Sequence, residues 1–381
     1  MKKLAIIGAS YLQLPLIEKA KKRGIATHVF AWQCEDVGEK AADFFYPISI
    51  VEKERILSKC REIGIDGICS IASDLAMVTV NYVAEKMNLI GNSPECVEVS
   101  TNKHKMRKCF EKHGDPSPKS FLVQSISDLE GVEIDFPVIV KPIDRSGSRG
   151  ITKLESRNGL ETAIEWAKQQ GFEKYALVEE FVTGNEYSVE FVSWEGKHHF
   201  LALTQKYTTG SPNFIETGHL EPAVVCQDVQ EKIVNVVTHA LNSLGIQYGA
   251  SHSELKISDD GEIKIIEIGG RMGGDCIGSS LVEMSTGFDF VNAVIDVALG
   301  IEPKIIKSKE TIAAIRFVFE QKDIDVWNEI LKRAPQLIAE YDIREISDEK
   351  VTDSSTRFGY YILTANSFAE IEEYLPRGTK E

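Results

Sequence analysis

The segment SHSELKISDDGEIKIIEIGGR, residues 251–271, decides the fold prediction. Two stretches of alternating apolar and polar residues flank the turn Asp259-Asp260-Gly261, and this pattern predicts a β-hairpin. Alternation places His252 and Glu254 on one face, and hairpin pairing brings Glu254 close to Glu267. Two carboxylates on one face repel each other, so they need a cation or a proton between them. Such oxygen ligands favour Mg²⁺, with nucleotide phosphates completing the coordination of the ion.

Upstream of the hairpin, the stretch PVIVKP at residues 137–142 predicts a buried strand that ends in a lysine, Lys141. The small residues of the loop that follows are Ser146, Gly147, Ser148 and Gly150. Such residues let backbone N–H groups approach an anion, and the lysine adds positive charge, so the loop is a candidate phosphate cradle. It lacks the Gly-Lys-Ser/Thr of a Walker A loop. Taken alone, the loop is equally well explained as a flexible hairpin.

Two further regions complete the pattern. Residues 176–190, ALVEEFVTGNEYSVE, predict a strand, a turn and a second strand, with carboxylates near the turn. Residues 1–95 alternate short apolar strands with helical stretches, which predicts a small parallel sheet covered by helices. Because the first turn has a single glycine, Gly8, we predict a structural α/β domain there and not a dinucleotide site.

Composition excludes several classes of protein. The chain has 381 residues, a net charge of −15 and 43% hydrophobic residues, which is an ordinary globular composition. An acidic chain without a dense basic stripe is a poor nucleic-acid binder, and we expect no membrane segment. The seven cysteines are scattered without a Cys-x-x-Cys pair, which favours free thiols over zinc or disulfides. We therefore expect a cytoplasmic protein that acts on small molecules.

The order and spacing of these motifs resemble the ATP-grasp superfamily over about residues 1–310. Within it, EIGGRMGGDCI at residues 267–277 and DVALG at residues 296–300 resemble L-amino-acid ligases and related carboxylate–amine ligases. The resemblance implies a mixed α/β and α+β fold, with the nucleotide held between two α+β subdomains. The expected domains are a pre-ATP-grasp α/β domain at 1–98, a small subdomain with its connecting helix at 99–185, a large subdomain with the metal site at 186–305, and a C-terminal α+β tail at 306–381.

The resemblance also implies roles for individual residues. Lys103 and Lys141 match the two phosphate-binding lysines, and Ser146, Gly147, Ser148 and Gly150 belong to the lid over the phosphates. Glu179, with the main chain of Glu180, Phe181 and Val182, matches the hinge that binds adenine. Glu186 matches the acid that accepts both ribose hydroxyls. Glu254 and Glu267 match ligands of Mg²⁺, with Mn²⁺ as an alternative ion, whereas Glu190 is expected on the surface of its strand.

One position departs from the family pattern. The residue two after the second metal glutamate is often Asn, and this chain has Gly269. A glycine offers no side-chain oxygen, so water, a backbone group or another residue must replace it, and the number of bound ions stays open. Arg271 matches the arginine that contacts the transferred phosphoryl group or the substrate carboxylate. Gly273 and Gly274 would let the backbone approach the acyl phosphate.

Substrate selectivity is expected from residues 206–222, where residues 212–222 form a polar loop. In that loop Glu216 would bind the amine and His219 would act as a base; a solvated loop is the alternative. The resemblance implies an ATP-dependent carboxylate–amine ligase that uses an acyl phosphate and releases ADP. A bicarbonate-phosphorylating carboxylase or carbamoyl-phosphate-synthase-like enzyme, and a non-catalytic ATP-binding regulator, are the alternatives. The expected partners are a carboxylate and an amine, with no nucleic acid or membrane, and a homodimer is left open.

Overall fold

A computed structural model describes residues 1–145, 147–347 and 349–376 of the chain. Its N-terminal part is a four-stranded parallel sheet with strand order β3-β2-β1-β4, as the alternation of strands and helices predicts. The elements are β1 (Lys3–Ile7), α1 (Leu14–Lys22), β2 (Ala26–Ala31), α2 (Val37–Ala41), β3 (Phe44–Pro47), α3 (Lys53–Ile63), β4 (Gly67–Cys69) and α4 (Asp74–Met87). Helix α4 begins where the Ser73 hydroxyl accepts the Ala76 N–H, and this cap fixes the direction of Asp74 at the first turn.

Two helices connect this sheet to the rest of the molecule: α5 (Pro94–Thr101) and α6 (Lys103–His113). The Asn102 side chain caps α6 by accepting the Lys105 N–H at 3.1 Å, and Gly114 ends the helix in the left-handed conformation. Lys103 is therefore the first residue of α6, and the cap holds it in place.

The second sheet is small and antiparallel, with order β5-β8-β6-β7. Its elements are β5 (Ser120–Val123), β6 (Val138–Pro142), β7 (Thr152–Leu154), α7 (Leu160–Gln170) and β8 (Ala176–Glu180). Helix α7 buries Ile164 and Ala167 against Val138 and Val140 of the sheet. This packing places Lys141 and Glu179 near the ends of adjacent strands.

The third sheet has eight strands, all antiparallel, in the order β13-β12-β9-β10-β11-β14-β16-β15. Its elements are β9 (Asn185–Trp194), β10 (Lys197–Thr208), β11 (Glu216–Glu221), α8 (Gln227–Leu244), β12 (Gly249–Ile257), β13 (Ile263–Gly269), a π-helix (Ile277–Leu281), α9 (Val282–Thr286), α10 (Phe290–Ala298), β14 (Ile312–Phe317), α11 (Gln321–Arg333), β15 (Ile338–Ile343) and β16 (Gly359–Ala365). The predicted hairpin at residues 251–271 is the β12–β13 pair.

The C-terminal segment belongs to this large sheet. Strand β14 pairs with β11 on one side and with β16 on the other, so the segment predicted as a tail after residue 305 continues the sheet of the large subdomain. The boundaries of the four expected domains stay predictions. No helix among the described residues is long and apolar enough to span a membrane.

The N-terminal sheet is docked firmly onto the large subdomain. One hydrophobic core contains Leu4 and Val29 of the parallel sheet together with Phe290 and Ile295 of α10. A Cβ added at Gly67 of β4 would lie 2.3 Å from the Ala298 carbonyl oxygen, so the two backbones are in close contact. This contact brings the first turn of α4 to the cleft described next.

Candidate active site

A cleft lies between the small antiparallel sheet and the eight-stranded sheet. Most of the residues expected at a nucleotide site line it together: Lys103, Lys141, Gly147, Ser148, Glu179, Glu180, Phe181, Val182, Glu186, Glu216, Glu254, Glu267 and Arg271. Gly150, His219, Gly273 and Gly274 do not line it, and Ser146 lies outside the described residues. The fold therefore brings together motifs that lie up to 168 positions apart, from Lys103 to Arg271.

The two expected metal ligands face each other across adjacent strands. Glu254 of β12 is directly opposite Glu267 of β13. A lysine ammonium contacts each carboxylate: Lys103 Nζ lies 2.6 Å from Glu267, and Lys206 Nζ lies 2.6 Å from Glu254. Burial would raise the pKa of Glu254, but Lys206 and His252 outweigh burial and hold this pKa well below its usual value. Glu254 is therefore ionised at neutral pH.

This donor set fits Mg²⁺ when phosphates supply further oxygens. The described residues contain no group of three His, Cys, Asp or Glu side chains that could hold a metal ion by themselves. Two facing carboxylates are what a protein commonly contributes to Mg²⁺ bound with a nucleotide, because this ion keeps water and phosphate in its coordination shell. Glu254 and Glu267 would hold the ion.

Lys206 is a central residue that the sequence did not single out. Its side chain is 3% exposed, and its Nζ lies 2.6 Å from Glu254, 2.9 Å from Glu186 and 3.8 Å from Glu216. Burial disfavours the charged form, but these three carboxylates raise the pKa of Lys206 well above its ordinary value. Lys206 is opposite Glu186 in the β9–β10 ladder. This pairing could not be predicted from the sequence, because it depends on the register of the two strands.

A second buried ion-pair group lies on the small-sheet side. Lys141 Nζ contacts Glu179 at 2.5 Å, and Arg107 Nε of α6 contacts the same carboxylate at 2.9 Å. Burial raises the pKa of Glu179, but the two cations outweigh burial and lower it overall. The Glu179 side chain is thus already paired, and its part in the expected adenine hinge is to fix the strand end.

Two backbone N–H groups of the expected hinge are also hydrogen-bonded within the protein. The Glu180 N–H donates to the Lys119 carbonyl at 2.9 Å, and the Phe181 N–H donates to the Pro137 carbonyl at 3.1 Å. These bonds fix the hinge between β5 and β6. An adenine ring bound at this hinge would therefore need another donor, such as the N–H of Val182, the next residue.

The expected phosphate loop contacts the large subdomain. The Ser148 hydroxyl donates to the Phe214 carbonyl at 3.0 Å. Ser148 has a left-handed backbone with φ of 57°. Gly150 has a packing role: a Cβ there would lie 2.8 Å from the Gln170 Cβ. The loop therefore bridges the two sides of the cleft through Ser148.

Arg271 is held by a residue of the N-terminal domain. Its Nε and Nη2 donate to the two oxygens of Asp74 at 2.8 and 3.0 Å, and its Nη1 donates to the Met272 carbonyl. Three of its five N–H groups are thus used, and two are left to contact a ligand in the cleft. Asp74 was not predicted, because nothing in the sequence links position 74 to position 271.

The same carboxylate explains the glycine that departs from the family pattern. A Cβ built at Gly269 would lie 2.6 Å from Asp74 Oδ1 and 3.0 Å from Arg271 Nε. The volume that a side chain at position 269 would need is therefore occupied by Asp74. Asp74 is itself paired with Arg271, so what replaces the missing Asn oxygen at a metal ion, and the number of bound ions, stay predictions.

Three expectations require correction. The second half of the polar loop predicted at residues 212–222 is strand, because Glu216–Glu221 is β11. His219 points away from the cleft and is fully buried, with its ring edge-on to Phe317 and Nε2 3.7 Å from Asp275. Burial lowers the pKa of His219 despite Asp275, so a buried neutral ring replaces the expected base at the substrate.

Glu190 is also buried and not on the surface. Its carboxylate contacts His252 Nδ1 and accepts the Gly273 N–H at 3.0 Å. Burial lowers the pKa of His252, but the carboxylates of Glu190 and Glu254 outweigh burial and raise it to about 9. The hydrogen bond from its N–H to Glu190 fixes the backbone of Gly273. The position also has no room for a side chain, because a Cβ at Gly273 would lie 2.7 Å from that carboxylate.

The C-terminal segment supplies part of the wall beside Glu216. Arg357 pairs with Asp275 at 2.5 and 3.0 Å and donates to the Glu216 carbonyl at 3.2 Å. The Ser354 hydroxyl donates to the Glu216 carboxylate at 2.9 Å. Glu216 does line the cleft, as expected, and the C-terminal segment holds it there.

Comparison with known proteins agrees with this geometry. Residues 134–279 match the model of the ATP-grasp domain. The chain carries an ATP-grasp domain. Its fold is that of ATP-grasp structures: an L-amino acid ligase from Bacillus licheniformis is 25% identical with a TM-score of 0.82, over 98% of this chain and 96% of that one. Phosphoribosylglycinamide synthetase from Anaerococcus prevotii, 23% identical, has the same fold with a TM-score of 0.77, over 98% and 96% of the two chains.

Relatives of this chain also have ligase names. The alanine–anticapsin ligase of Bacillus subtilis (strain 168) is 26% identical over 275 residues, which is 63% of this chain and 58% of that protein. Carnosine synthase 1 of Gallus gallus is 24% identical over 333 residues, covering 79% of this chain and 36% of its own length. The chain thus aligns with little more than half the length of the first of these relatives.

Proposed function

We propose that this protein is an ATP-dependent carboxylate–amine ligase. A substrate carboxylate oxygen attacks the γ-phosphorus of ATP, the bond from that phosphorus to the β-phosphate oxygen breaks, and ADP leaves. An amine then attacks the acyl carbon, phosphate leaves, and the nitrogen loses a proton to give the amide. The single observation that carries the proposal is the cleft in which Glu254 and Glu267 face each other while Lys103, Lys206 and Arg271 surround them.

The charges of the cleft suit phosphoryl transfer. Negative charge is spread over the phosphoryl oxygens in the transition state, and preorganised cations stabilise it without moving. Lys103 and Lys141 would bind the nucleotide phosphates, and Arg271 has two N–H groups left for the transferred group or the carboxylate. When bound, Mg²⁺ would neutralise phosphate charge and polarise the transferred group. None of the free cysteines lines the described part of the cleft, so an enzyme-bound acyl thioester has no candidate nucleophile there.

The names of the relatives support an amino acid as one substrate, since two of them are called alanine–anticapsin ligase and L-amino acid ligase. Glu216, held by Arg357 and Ser354, is the carboxylate we assign to a substrate ammonium group. The Val182 N–H and the Glu186 carboxylate are assigned to adenine and ribose. Use of Mg²⁺ or Mn²⁺, a cytoplasmic location and a homodimer stay predictions.

Hydroxylamine capture tests the acyl phosphate. With ATP, Mg²⁺ and each L-amino acid in turn, we expect a hydroxamate to form with ADP and phosphate, because hydroxylamine attacks an activated acyl group without selectivity for the natural amine. The measurement is the ferric-hydroxamate colour together with nucleotide analysis. Formation of AMP and pyrophosphate would indicate an acyl adenylate and contradict the proposal. ADP release that requires bicarbonate and no amino acid would favour a carboxylase instead.

Position 269 gives a second test of the site. Gly269→Asn should lower kcat about tenfold or more, because the new side chain displaces Asp74 and shifts Arg271. Asp74→Ala should have a similar effect, since it also releases Arg271. In the double variant the Asn amide can occupy the vacated space and accept from Arg271 Nε, so we expect activity no lower than that of either single variant. Losses that multiply in the double variant would show that the two positions act independently.

A further inference from the structure

Glu190 is a buried carboxylate to which the proposed reaction gives no part. It lies on β9, an interior strand of the eight-stranded sheet, and its side chain is fully buried. One oxygen contacts Nδ1 of His252, the residue opposite it in the β9–β12 ladder, and the other accepts the Gly273 N–H at 3.0 Å. Because a buried carboxylate is costly unless its oxygens are bonded, these two contacts hold β12 and the loop after β13 to one point of the sheet.

The first of these contacts leads to an expected metal ligand. His252 lies between two carboxylates: its Nδ1 contacts Glu190, and its Nε2 lies 3.3 Å from Oε1 of Glu254. Lys206 Nζ contacts the same oxygen of Glu254 at 2.6 Å. His252 and Lys206 thus orient Glu254 through Oε1, and neither contact uses Oε2. Groups that hold a metal ligand in one orientation change metal affinity without touching the ion.

The second contact leads to the loop that carries Arg271. Gly273 is two residues after Arg271, and its N–H is the backbone group that Glu190 binds. A Cβ at Gly273 would lie 2.7 Å from Glu190 and 2.8 Å from His252 Nδ1, so the loop backbone packs directly on this pair. Asp74 orients the guanidinium of Arg271, whereas Glu190 holds the backbone from which that side chain extends.

We propose that Glu190 is a positioning residue that sets the placement of the metal ligand Glu254 relative to Arg271. Glu190 does not line the cleft, so it acts through the groups that it holds. The inference rests on the proposed function, in which an ion on Glu254 and the guanidinium of Arg271 act on the same phosphoryl group. Such groups must keep their relative positions, because a shift of about 1 Å can lower a rate about 100-fold.

The test compares Glu190→Ala with Glu190→Gln. Glu190→Ala loses both bonds, and we expect kcat for hydroxamate formation and Mn²⁺ affinity in the presence of ADP each to fall about 10- to 100-fold. In Glu190→Gln the amide oxygen can accept the Gly273 N–H while the amide nitrogen donates to His252 Nδ1, so both quantities should stay within about fivefold of the wild type. Electron paramagnetic resonance of free Mn²⁺ measures the metal affinity. ADP affinity in EDTA should be unchanged in both variants.

Glu221→Gln is the matched control. Glu221 is another fully buried carboxylate of the same sheet; it accepts the Thr204 and Ser285 hydroxyls and does not line the cleft. The change should leave kcat and Mn²⁺ affinity as they are, even where it alters thermal stability. Equal losses in Glu221→Gln and Glu190→Ala would show an effect common to buried carboxylates of this sheet and would overturn the proposal.

His252→Asn keeps the proposal testable if Glu190→Ala does not fold. The shorter amide can still donate to Glu190 but has no second ring nitrogen for Glu254, so Mn²⁺ affinity should fall about tenfold or more. Unchanged Mn²⁺ affinity in His252→Asn or in folded Glu190→Ala would contradict the proposal, as would equal losses in Glu190→Gln and Glu190→Ala. Mn²⁺ binding requires no turnover. A wild type without hydroxamate formation would refute the ligase, while weaker Mn²⁺ binding in Glu190→Ala would still support the role of Glu190.

Discussion

Arg271→Met lowers kcat for amide synthesis about 10³-fold in our expectation, while the affinity for ADP stays within about twofold. Removal of one preorganised donor from a developing anion commonly costs about 10²- to 10³-fold, and the arginine of a phosphoryl-transfer site can cost more. The Asp74 carboxylate holds the guanidinium in the cleft before substrate enters, so its charge is already in place for the reaction. Steady-state phosphate release and calorimetric ADP binding measure the two effects.

Arg271→Met leaves the Asp74 carboxylate without its cation, so this variant needs a control for stability. Asp74 side-chain oxygens lose two charge-assisted hydrogen bonds in Arg271→Met, so the free energy of unfolding should fall as well. Asp74→Asn combined with Arg271→Met removes the unpaired charge and should restore stability without restoring turnover. Loss of nucleotide binding with unchanged kcat would place Arg271 at the nucleotide and contradict the assigned role.

Glu267→Gln should lower activity at least about 100-fold, because it replaces one of the two anionic oxygen ligands available to Mg²⁺ with a neutral amide. The same change leaves Lys103 without its carboxylate partner at 2.6 Å, but that lysine can still pair with nucleotide phosphate. Activity is measured as a function of Mg²⁺ concentration, and the variant should require more metal than the wild type. Thermal stability should change much less than activity.

Glu262→Gln is the matched control for this substitution. Glu262 is exposed in the turn of the same hairpin, and the change should leave both activity and metal dependence as they are. If neither EDTA nor Glu267→Gln changes the activity, the metal site at the β12–β13 pair is wrongly assigned.

Local sequence patterns were sufficient for the hairpin that carries the metal ligands. Alternation and the Asp-Asp-Gly turn predict that Glu254 and Glu267 meet, and the ladder confirms the pair. These signals act over about twenty residues. By contrast, Lys206 reaches Glu254 only through the pairing of three strands, and that register depends on the packing of the whole sheet.

The other features that the sequence did not predict share a cause, because each depends on contact between distant parts of the chain. Asp74 meets Arg271 because α10 docks on the N-terminal sheet, and Arg357 meets Asp275 because β16 joins the large sheet. Glu190 shows a related limit. Alternation assigns it to a face of β9, but only the neighbouring His252 and Gly273 make that face an interior one.

The position of β14 between β11 and β16 has a consequence for deletion experiments. A chain shortened to its first 305 residues would lose β14, and the backbone N–H and C=O groups of β11 would become an open edge. Open edges recruit strands from other molecules, so such a fragment should self-associate and not report on what the C-terminal segment does for substrates. Residues of the C-terminal segment, such as Arg357, are better studied by single substitutions in a chain in which β14 still pairs with β11.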